Sequence, residues 1–158
     1  MTDLAQVFMD LVRCEIRLYN ALGDRLRTEH GLTMGQFEFL RIIDGRAGCR
    51  VNDLAQEAAI TVGATSKGVD RLEAAGWAVR RPHPGNRRSS LLELTPEGAA
   101  LLAAATPTFE EGLRSLLAGP LTADSLEHLA STVALLRRTL EDAPAGTPAE
   151  QPGPAATA

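Results

Sequence analysis

The sequence predicts a mainly α-helical protein with a single short β-hairpin near its middle. Two observations support this fold class. Apolar residues recur at intervals of three and four along most of the chain, which is the spacing of one helix face. Between residues 77 and 94, two short segments with apolar residues at alternating positions flank a turn that contains proline, glycine and asparagine.

The first predicted helix covers about residues 3–29. Apolar side chains from Leu4 to Leu26 keep helical spacing, so this helix is amphipathic. Gly31 ends it, because glycine adopts the left-handed conformation of a helix C-terminus without a steric penalty.

Two shorter helices follow. Thr33 and Gln36 form a capping-box pair, in which each side chain bonds the backbone N–H of the other residue, so a second helix begins here. Its core face holds Phe37, Leu40 and Ile43. Glycines at 45 and 48 break the chain, and a short third helix is predicted at about residues 52–59.

The fourth predicted helix, residues 61–75, has small polar residues on its open face. Thr61 is a good N-cap, and Gly76 closes the helix. The buried stripe is predicted to consist of Val62, Val69 and Leu72. The other faces carry Thr65, Ser66, Lys67 and Arg71.

A basic hairpin comes directly after this helix. Its strands are predicted at residues 77–81 and 90–94, and the turn between them reads His83-Pro-Gly-Asn-Arg-Arg88. A helix with a polar open face, followed by a hairpin with a cationic tip, is the layout of a winged helix-turn-helix. Both parts suit a DNA duplex, because a helix fits the major groove and a cationic tip can reach phosphates or the minor groove.

Two further helices complete the predicted fold. Thr95, Pro96 and Glu97 begin the fifth helix with an N-cap, a proline at the first helical position and an acid in the first turn. Apolar residues of the last helix step by three and four, close to the a and d positions of a coiled coil. These residues are Leu126, Leu129, Val133, Leu136 and Leu140.

The order of these elements predicts three parts of the chain. Residues 3–30 and 96–141 are expected to form a helical dimerisation region, because both ends of the chain carry long helices with an apolar face. Residues 33–95 form the winged helix-turn-helix domain. Residues 143–158 are rich in alanine and proline and are predicted to be disordered.

A net charge of -4 does not exclude nucleic-acid binding, because the basic residues are concentrated. Between residues 61 and 94, six lysines and arginines outnumber three acids. No apolar run approaches the roughly 20 residues that span a bilayer, and the N-terminus lacks the pattern of a signal peptide. The two cysteines have no C-x-x-C spacing, so a reducing, cytoplasmic location is expected.

Several short motifs resemble those of a known family. They are Leu32-Thr33-x-x-Gln36-Phe37, Val51-Asn52-Asp53-Leu54-Ala55, Val69-Asp70-Arg71-Leu72, Gly76-Trp77, and Asn86-Arg87-Arg88 leading into Leu92-x-Leu94-Thr95-x-x-Gly98. In these motifs, and in pattern over about residues 5–141, the chain resembles the MarR family of regulators. The resemblance implies an intertwined homodimer that binds a pseudo-palindromic operator, usually as a repressor, and that often releases DNA in response to a small ligand, an oxidant or a metal.

The resemblance also assigns residues by position. It makes the fourth helix the recognition helix and residues 82–90 the wing. The implied DNA contacts are Thr61, Thr65, Ser66, Lys67, Arg71, Arg87 and Arg88. Arg88 matches the arginine that enters the minor groove, and Asp70 matches the acid that orients it. The family wing often reads Asp-x-Arg, whereas this chain has Asn86, which can cap a turn but cannot form an ion pair.

The sequence leaves the effector open. The natural cavity lies at the junction of the first, second and fifth helices, and an arginine beside an aromatic ring suits an aromatic carboxylate. The candidate residues are Arg13, Arg17, Tyr19, Phe39 and Arg41, which could instead solvate the dimer interface. No cofactor or metal site is predicted, because the histidines are scattered; zinc held by His30 and Glu38 is the alternative.

The two cysteines are predicted to differ in exposure. Cys14 shares a helix face with Val7 and Leu11, which favours a buried structural thiol over a sensor. Cys49 lies in a polar loop beside Arg46 and is predicted to be the more exposed and reactive of the two.

Two other classes of function compete with a regulator. An enzyme is disfavoured, because the sequence has no Gly-rich phosphate loop, no paired metal ligands and no nucleophile with a neighbouring base. A winged helix that binds protein would bind its partner without Arg88. We therefore expect a homodimeric DNA-binding repressor that is not an enzyme, with duplex DNA, a second copy and an unidentified effector as partners.

Overall fold

The computed structural model describes residues 1–142, apart from the side chains of Arg87 and Arg88. It confirms the predicted fold class of helices around one antiparallel hairpin. The helices are α1 (Leu4–His30), α2 (Met34–Gly45), α3 (Val51–Glu57), α4 (Val62–Ala74), α5 (Pro96–Leu113) and α6 (Ala123–Asp142), and the strands are β1 (Ala78–His83) and β2 (Asn86–Leu94). A π-helical turn, Arg114–Ala118, follows α5. The tail predicted to be disordered, residues 143–158, lies outside the described residues.

Short polar side chains fix where the helices begin. Thr33 Oγ1 accepts the Gln36 N–H at 3.2 Å, and Gln36 Oε1 accepts the Thr33 N–H at 2.9 Å, which confirms the predicted capping box. Thr61 Oγ1 accepts the Ala64 N–H at 3.2 Å and so caps α4. Gly31 ends α1 with a φ of 69°, the left-handed conformation that favours glycine.

The chain divides into two compact units. The first comprises residues 1–37 and 101–134, and its aromatic core pair is Phe37 and Phe109, whose ring centroids are 4.7 Å apart. The second comprises residues 38–100 and, among the described residues of the C-terminal part, 135–142, and it contains α3, α4 and the hairpin. Its fully buried side chains include Leu40, Leu54, Val69, Leu72 and Leu92. Among the described residues, no helix is both long and apolar enough to cross a lipid bilayer.

The hairpin is longer than the sequence suggested. Its register runs from the pair Ala78 and Leu94 to the pair His83 and Asn86, so the turn is reduced to the two residues between them. The predicted strands stopped further from the tip, because proline and arginine residues there weaken the apolar alternation. Pairing therefore reaches the tip of the wing, but a bulge in β2 at residues 87–89 interrupts it between the pair Pro82 and Ser90 and the pair His83 and Asn86.

The predicted exposures of the two cysteines are wrong. Cys14 is exposed, because nothing within residues 1–142 covers this part of α1. Cys49 is completely buried, and its carbonyl oxygen accepts the Leu92 N–H at 2.7 Å, so β2 packs over the loop that holds it. Burial raises the pKa of the Cys49 thiol, and Asp53 raises it further, while Arg46 opposes both. The Cys49 thiol therefore stays protonated and unreactive near neutral pH.

Two helices keep apolar side chains exposed in the described chain. On α1 these are Leu4, Val7, Phe8, Leu11 and Ile16. On α6 the exposed large apolar side chains range from Leu129, which is 38% exposed, to Leu140, which is 66% exposed. No residue of this helix is buried. Contiguous apolar surface of this kind indicates a face that another molecule covers.

Candidate nucleic-acid interface

Helix α4 has one buried face and one exposed polar face. Val69 and Leu72 are fully buried, as predicted, but the prediction was wrong for Val62, which is 51% exposed. It was also wrong for Thr65, which is completely buried and therefore cannot present its side chain to DNA from this surface. The Thr65 hydroxyl donates to the Thr61 carbonyl at 2.9 Å, so its buried oxygen is satisfied inside the helix.

The other predicted contacts of α4 lie at its surface. Thr61, Lys67 and Arg71 are exposed, and Ser66 is half-buried. Lys67 and Arg71 are four residues apart, so both cations lie on one side of the helix, one turn from each other. This exposed side can offer two positive charges to phosphates and two hydroxyl groups to base edges or phosphates.

Arg80 on β1 binds the surface of α4, an arrangement that the sequence analysis missed. Its guanidinium forms ion pairs with Asp70, at 2.9 Å, and with Glu73. It also donates to the carbonyl oxygen of Ser66 at 3.3 Å and to the Ser66 hydroxyl at 3.4 Å. The Arg80 backbone N–H donates to Glu73 at 2.9 Å, so strand and helix are joined by both main chain and side chain.

The alternation of side chains along β1 could have indicated this contact. Ala78 is buried, and Arg80 lies two residues later on the same face of the strand. Arg81 faces the other way, where it forms an ion pair with Glu93 at 3.3 Å. Two neighbouring arginines thus have different partners, and only Arg80 joins the wing to α4.

The structure describes the wing arginines only in part. Arg87 and Arg88 belong to β2, but their side chains lie outside the description, so their DNA contacts stay a prediction. Asp70, the acid that the resemblance pairs with Arg88, contacts Arg80 here. Asn86 is exposed and pairs with His83 across the hairpin, next to the turn.

A further cation lies beside the wing tip. Arg50, in the loop before α3, places a guanidinium nitrogen 2.8 Å from His83 Nε2, and the Gly85 N–H donates to His83 Nδ1 at 3.0 Å. Neighbouring Arg46 is instead paired with Asp53 at 2.8 Å. The exposed guanidinium of Arg50 therefore adds positive charge on the wing side of this unit, which the sequence analysis did not anticipate.

The candidate effector residues on α1 lie at the surface of the described chain. Arg13 pairs with Asp10 at 3.8 Å, and Arg17 is exposed. Tyr19 is also exposed, and its hydroxyl lies beside Gly35 at the start of α2. Their role in binding an effector stays a prediction.

The candidate effector residues on α2 have different surroundings. Phe39 is only 7% exposed, and its ring packs against Gly68 of α4. Arg41 is exposed and lies near Glu38. Burial raises the pKa of the Glu38 carboxyl, Arg41 opposes this, and Glu57 adds to it. An effector site at these residues also stays a prediction.

His30 has a partner other than the proposed metal. Its Nε2 lies 2.8 Å from Thr108 Oγ1, and the Thr108 hydroxyl donates to Glu29 at 3.0 Å. Within residues 1–142 there is no cluster of three or more His, Cys, Asp or Glu side chains that could hold a metal ion.

The chain is similar to known proteins in sequence. Residues 30–89 match the model of the MarR family. The multiple antibiotic resistance protein MarR of Escherichia coli is 32% identical over 139 residues, which cover 84% of this chain and 96% of that protein.

Solved structures extend this similarity to the fold. A mutant MarR from E. coli, complexed with operator DNA, has a TM-score of 0.72 and 28% identity, and the match covers 88% of this chain and 99% of that one. Sco3205 from Streptomyces coelicolor, a MarR family transcriptional regulator solved with DNA, shares the fold with a TM-score of 0.82 at 24% identity, over 90% of this chain and 95% of that one. BpsR of Bordetella bronchiseptica, whose DNA binding is regulated by 6-hydroxynicotinic acid, has a TM-score of 0.74 and 25% identity, over 91% of this chain and 99% of that one.

Proposed function

The chain belongs to the MarR family of DNA-binding transcriptional regulators, and from this premise we propose that it is a homodimeric repressor of a pseudo-palindromic operator. The relatives are regulators and not enzymes, so no catalytic role is proposed. The observation that carries the proposal is the exposed polar face of α4, with Lys67 and Arg71, beside a basic hairpin.

The proposed complex follows from the shape of duplex DNA. In a dimer, the two recognition helices at residues 61–75 would enter successive major grooves about 34 Å apart. Thr61 and Ser66 would reach base edges, while Lys67 and Arg71 would bind phosphates and position the helix. The wing, residues 82–90, would bring its arginines to the minor groove.

The proposal predicts that Arg88→Ala weakens operator binding about tenfold and lowers the slope of log affinity against log salt by about one. The wing arginine supplies one phosphate or minor-groove contact, so without it one counterion fewer is released when the protein binds DNA. Fluorescence anisotropy measures this on the DNA upstream of the gene for this chain and on duplexes selected from a random library, each against scrambled DNA. Arg138→Ala on α6 is the matched control and should bind as the wild type does.

The same assay tests the function as a whole. Binding that is selective for the operator over scrambled DNA, and that Arg88→Ala weakens, supports the proposed role as a regulator. Equal and weak binding to selected and scrambled duplexes, unchanged by Arg88→Ala, would contradict it. Repeating the titration with benzoate, Zn²⁺ or a mild oxidant decides which of these releases the DNA.

The proposed homodimer is supported by the apolar stripe of α6, here defined as Leu126, Leu129, Val133, Leu136 and Leu140. Leu136→Glu should weaken dimerisation about a hundredfold, because a carboxylate buried in an apolar interface costs about 3 kcal/mol. Leu135→Glu adds the same charge at a more exposed position outside the stripe and should leave the dimer intact. Sedimentation velocity over a dilution series distinguishes the two, and equal behaviour of both variants would exclude this face as the interface.

An effector is part of the proposal. DNA binding by BpsR is regulated by 6-hydroxynicotinic acid, which is a small aromatic acid. The candidate residues in this chain combine arginines with aromatic rings and suit the same chemistry: Arg13, Arg17, Tyr19, Phe39 and Arg41. A thiol switch at Cys49 is disfavoured by its complete burial.

A further inference from the structure

We propose that Arg80 is a positioning residue for base recognition: held against α4 by Asp70 and Glu73, it fixes the orientation of the Ser66 hydroxyl. The inference rests on the proposed DNA binding by α4. Arg80 comes from the hairpin, while Ser66, Asp70 and Glu73 all come from the helix. One guanidinium thus contacts two successive turns of α4.

The Arg80 contact restricts what Ser66 can read. A guanidinium only donates hydrogen bonds, so the Ser66 hydroxyl oxygen accepts from Arg80 at 3.4 Å. Among the side chains that the structure describes, which exclude those of Arg87 and Arg88, no contact of Ser66 uses its own hydroxyl proton, which is left for a ligand. A serine held in this way keeps its proton for an acceptor, such as guanine N7 or O6, thymine O4 or a phosphate oxygen, and it favours these over an amino group because Arg80 already uses one of the two lone pairs of its oxygen.

The charge of Arg80 is already engaged. Its guanidinium is mostly covered and is paired with Asp70 and Glu73, two carboxylates that would otherwise repel DNA phosphates from α4. Arg80 is therefore expected to add little to the salt dependence of binding. Its effect should fall on the selectivity for one sequence over another.

Position 80 requires the planar geometry of a guanidinium and not only a positive charge. Arginine presents donors in a planar fork that can serve Asp70, Glu73 and Ser66 together, whereas lysine is a point charge on a flexible stem. Arg80→Lys keeps the net charge and removes the fork. Arg81→Lys is the matched control, because Arg81 is the next residue and its guanidinium pairs only with Glu93 in the described structure.

The test is the operator-to-scrambled affinity ratio of the dimeric, full-length protein, measured by anisotropy. Arg80→Lys should lower this ratio about five- to tenfold, as expected when one oriented hydrogen bond to a base is lost, with binding to scrambled DNA and the salt slope unchanged. Arg81→Lys should keep the wild-type ratio. In a Ser66→Ala background, Arg80→Lys should add little, because both changes remove the same contact.

Each other outcome has a defined meaning. A wild-type ratio in Arg80→Lys, or a loss that adds fully to that of Ser66→Ala, would overturn the inference while leaving the proposed function intact. A wild-type protein that does not discriminate between the duplexes would overturn the proposed function itself. If Arg80→Lys is unfolded by circular dichroism, Glu73→Gln loosens the same contact from the helix side and should lower the ratio in the same direction; an unchanged ratio there overturns the inference.

Discussion

Replacing Gly98 by alanine is expected to lower the free energy of unfolding by about 3 kcal/mol. Gly98 lies in the first turn of α5, where an added Cβ would collide with the carbonyl oxygen of Trp77 and lie 2.8 Å from its carbonyl carbon. The obstacle is backbone, so rotation of a side chain cannot relieve it. Thr95 holds the two segments together, since its N–H donates to the Trp77 carbonyl at 3.1 Å and its hydroxyl oxygen accepts the Gly98 N–H at 3.0 Å.

Thermal and urea denaturation followed by circular dichroism measure this effect, which corresponds to a fall in Tm of about 10 °C. Gly63→Ala is the control, because nothing lies within 4 Å of the added Cβ at that helical position. It should raise the stability by about 0.5 to 1 kcal/mol through its higher helix propensity. If Gly98→Ala behaves like this control, α5 does not begin in contact with Trp77.

Replacing Gly68 by alanine is expected to weaken operator binding about tenfold, which is about 1.4 kcal/mol. The new Cβ would lie 2.5 Å from Cε2 and 3.2 Å from Cζ of Phe39. Phe39 is almost completely buried, and at these distances either its ring or α4 must move to admit the added Cβ. Overpacking of this kind costs about 1 to 3 kcal/mol, and here it displaces the helix that carries the DNA contacts.

A double variant separates this cause from a general loss of stability. Phe39→Leu removes the ring atoms that meet the added Cβ, so it should restore at least half of the affinity that Gly68→Ala loses. Phe39→Leu alone supplies the control, and the cycle should give a coupling of about 1 kcal/mol. Wild-type affinity in Gly68→Ala, or no recovery in the double variant, would mean that this contact does not set the position of α4.

Local sequence determined the ends of the helices. The capping box at Thr33 and Gln36, the N-cap Thr61 and the C-terminal Gly31 were all predicted and are confirmed. Such signals can be read from sequence because both partners of each bond lie within about four residues, so no distant element has to be known. The family followed from motifs of the same kind and is confirmed by the relatives.

The burial of Val69 and Leu72 was predicted, but for other side chains only the tertiary structure decided whether they are buried. Periodicity placed Val62 in the buried stripe of α4 and Thr65 on another face, but the packing of α4 covers Thr65 and leaves Val62 exposed. Cys14 lies on an apolar helix face and Cys49 in a polar loop, yet the structure exposes the first and buries the second. Periodicity defines a face, whereas burial depends on which other element reaches it.

The contacts of Arg80 also separate what the sequence determined from what the tertiary structure decided. The sequence by itself determined that a polar helix precedes a basic hairpin, because each of these elements is fixed by its own residues. It did not reveal that Arg80 would bind Asp70 and Ser66, which lie 10 and 14 residues away across the turn between α4 and β1. Such a contact depends on how the helix packs on the strand, and that packing follows from burial of the core and not from any local signal.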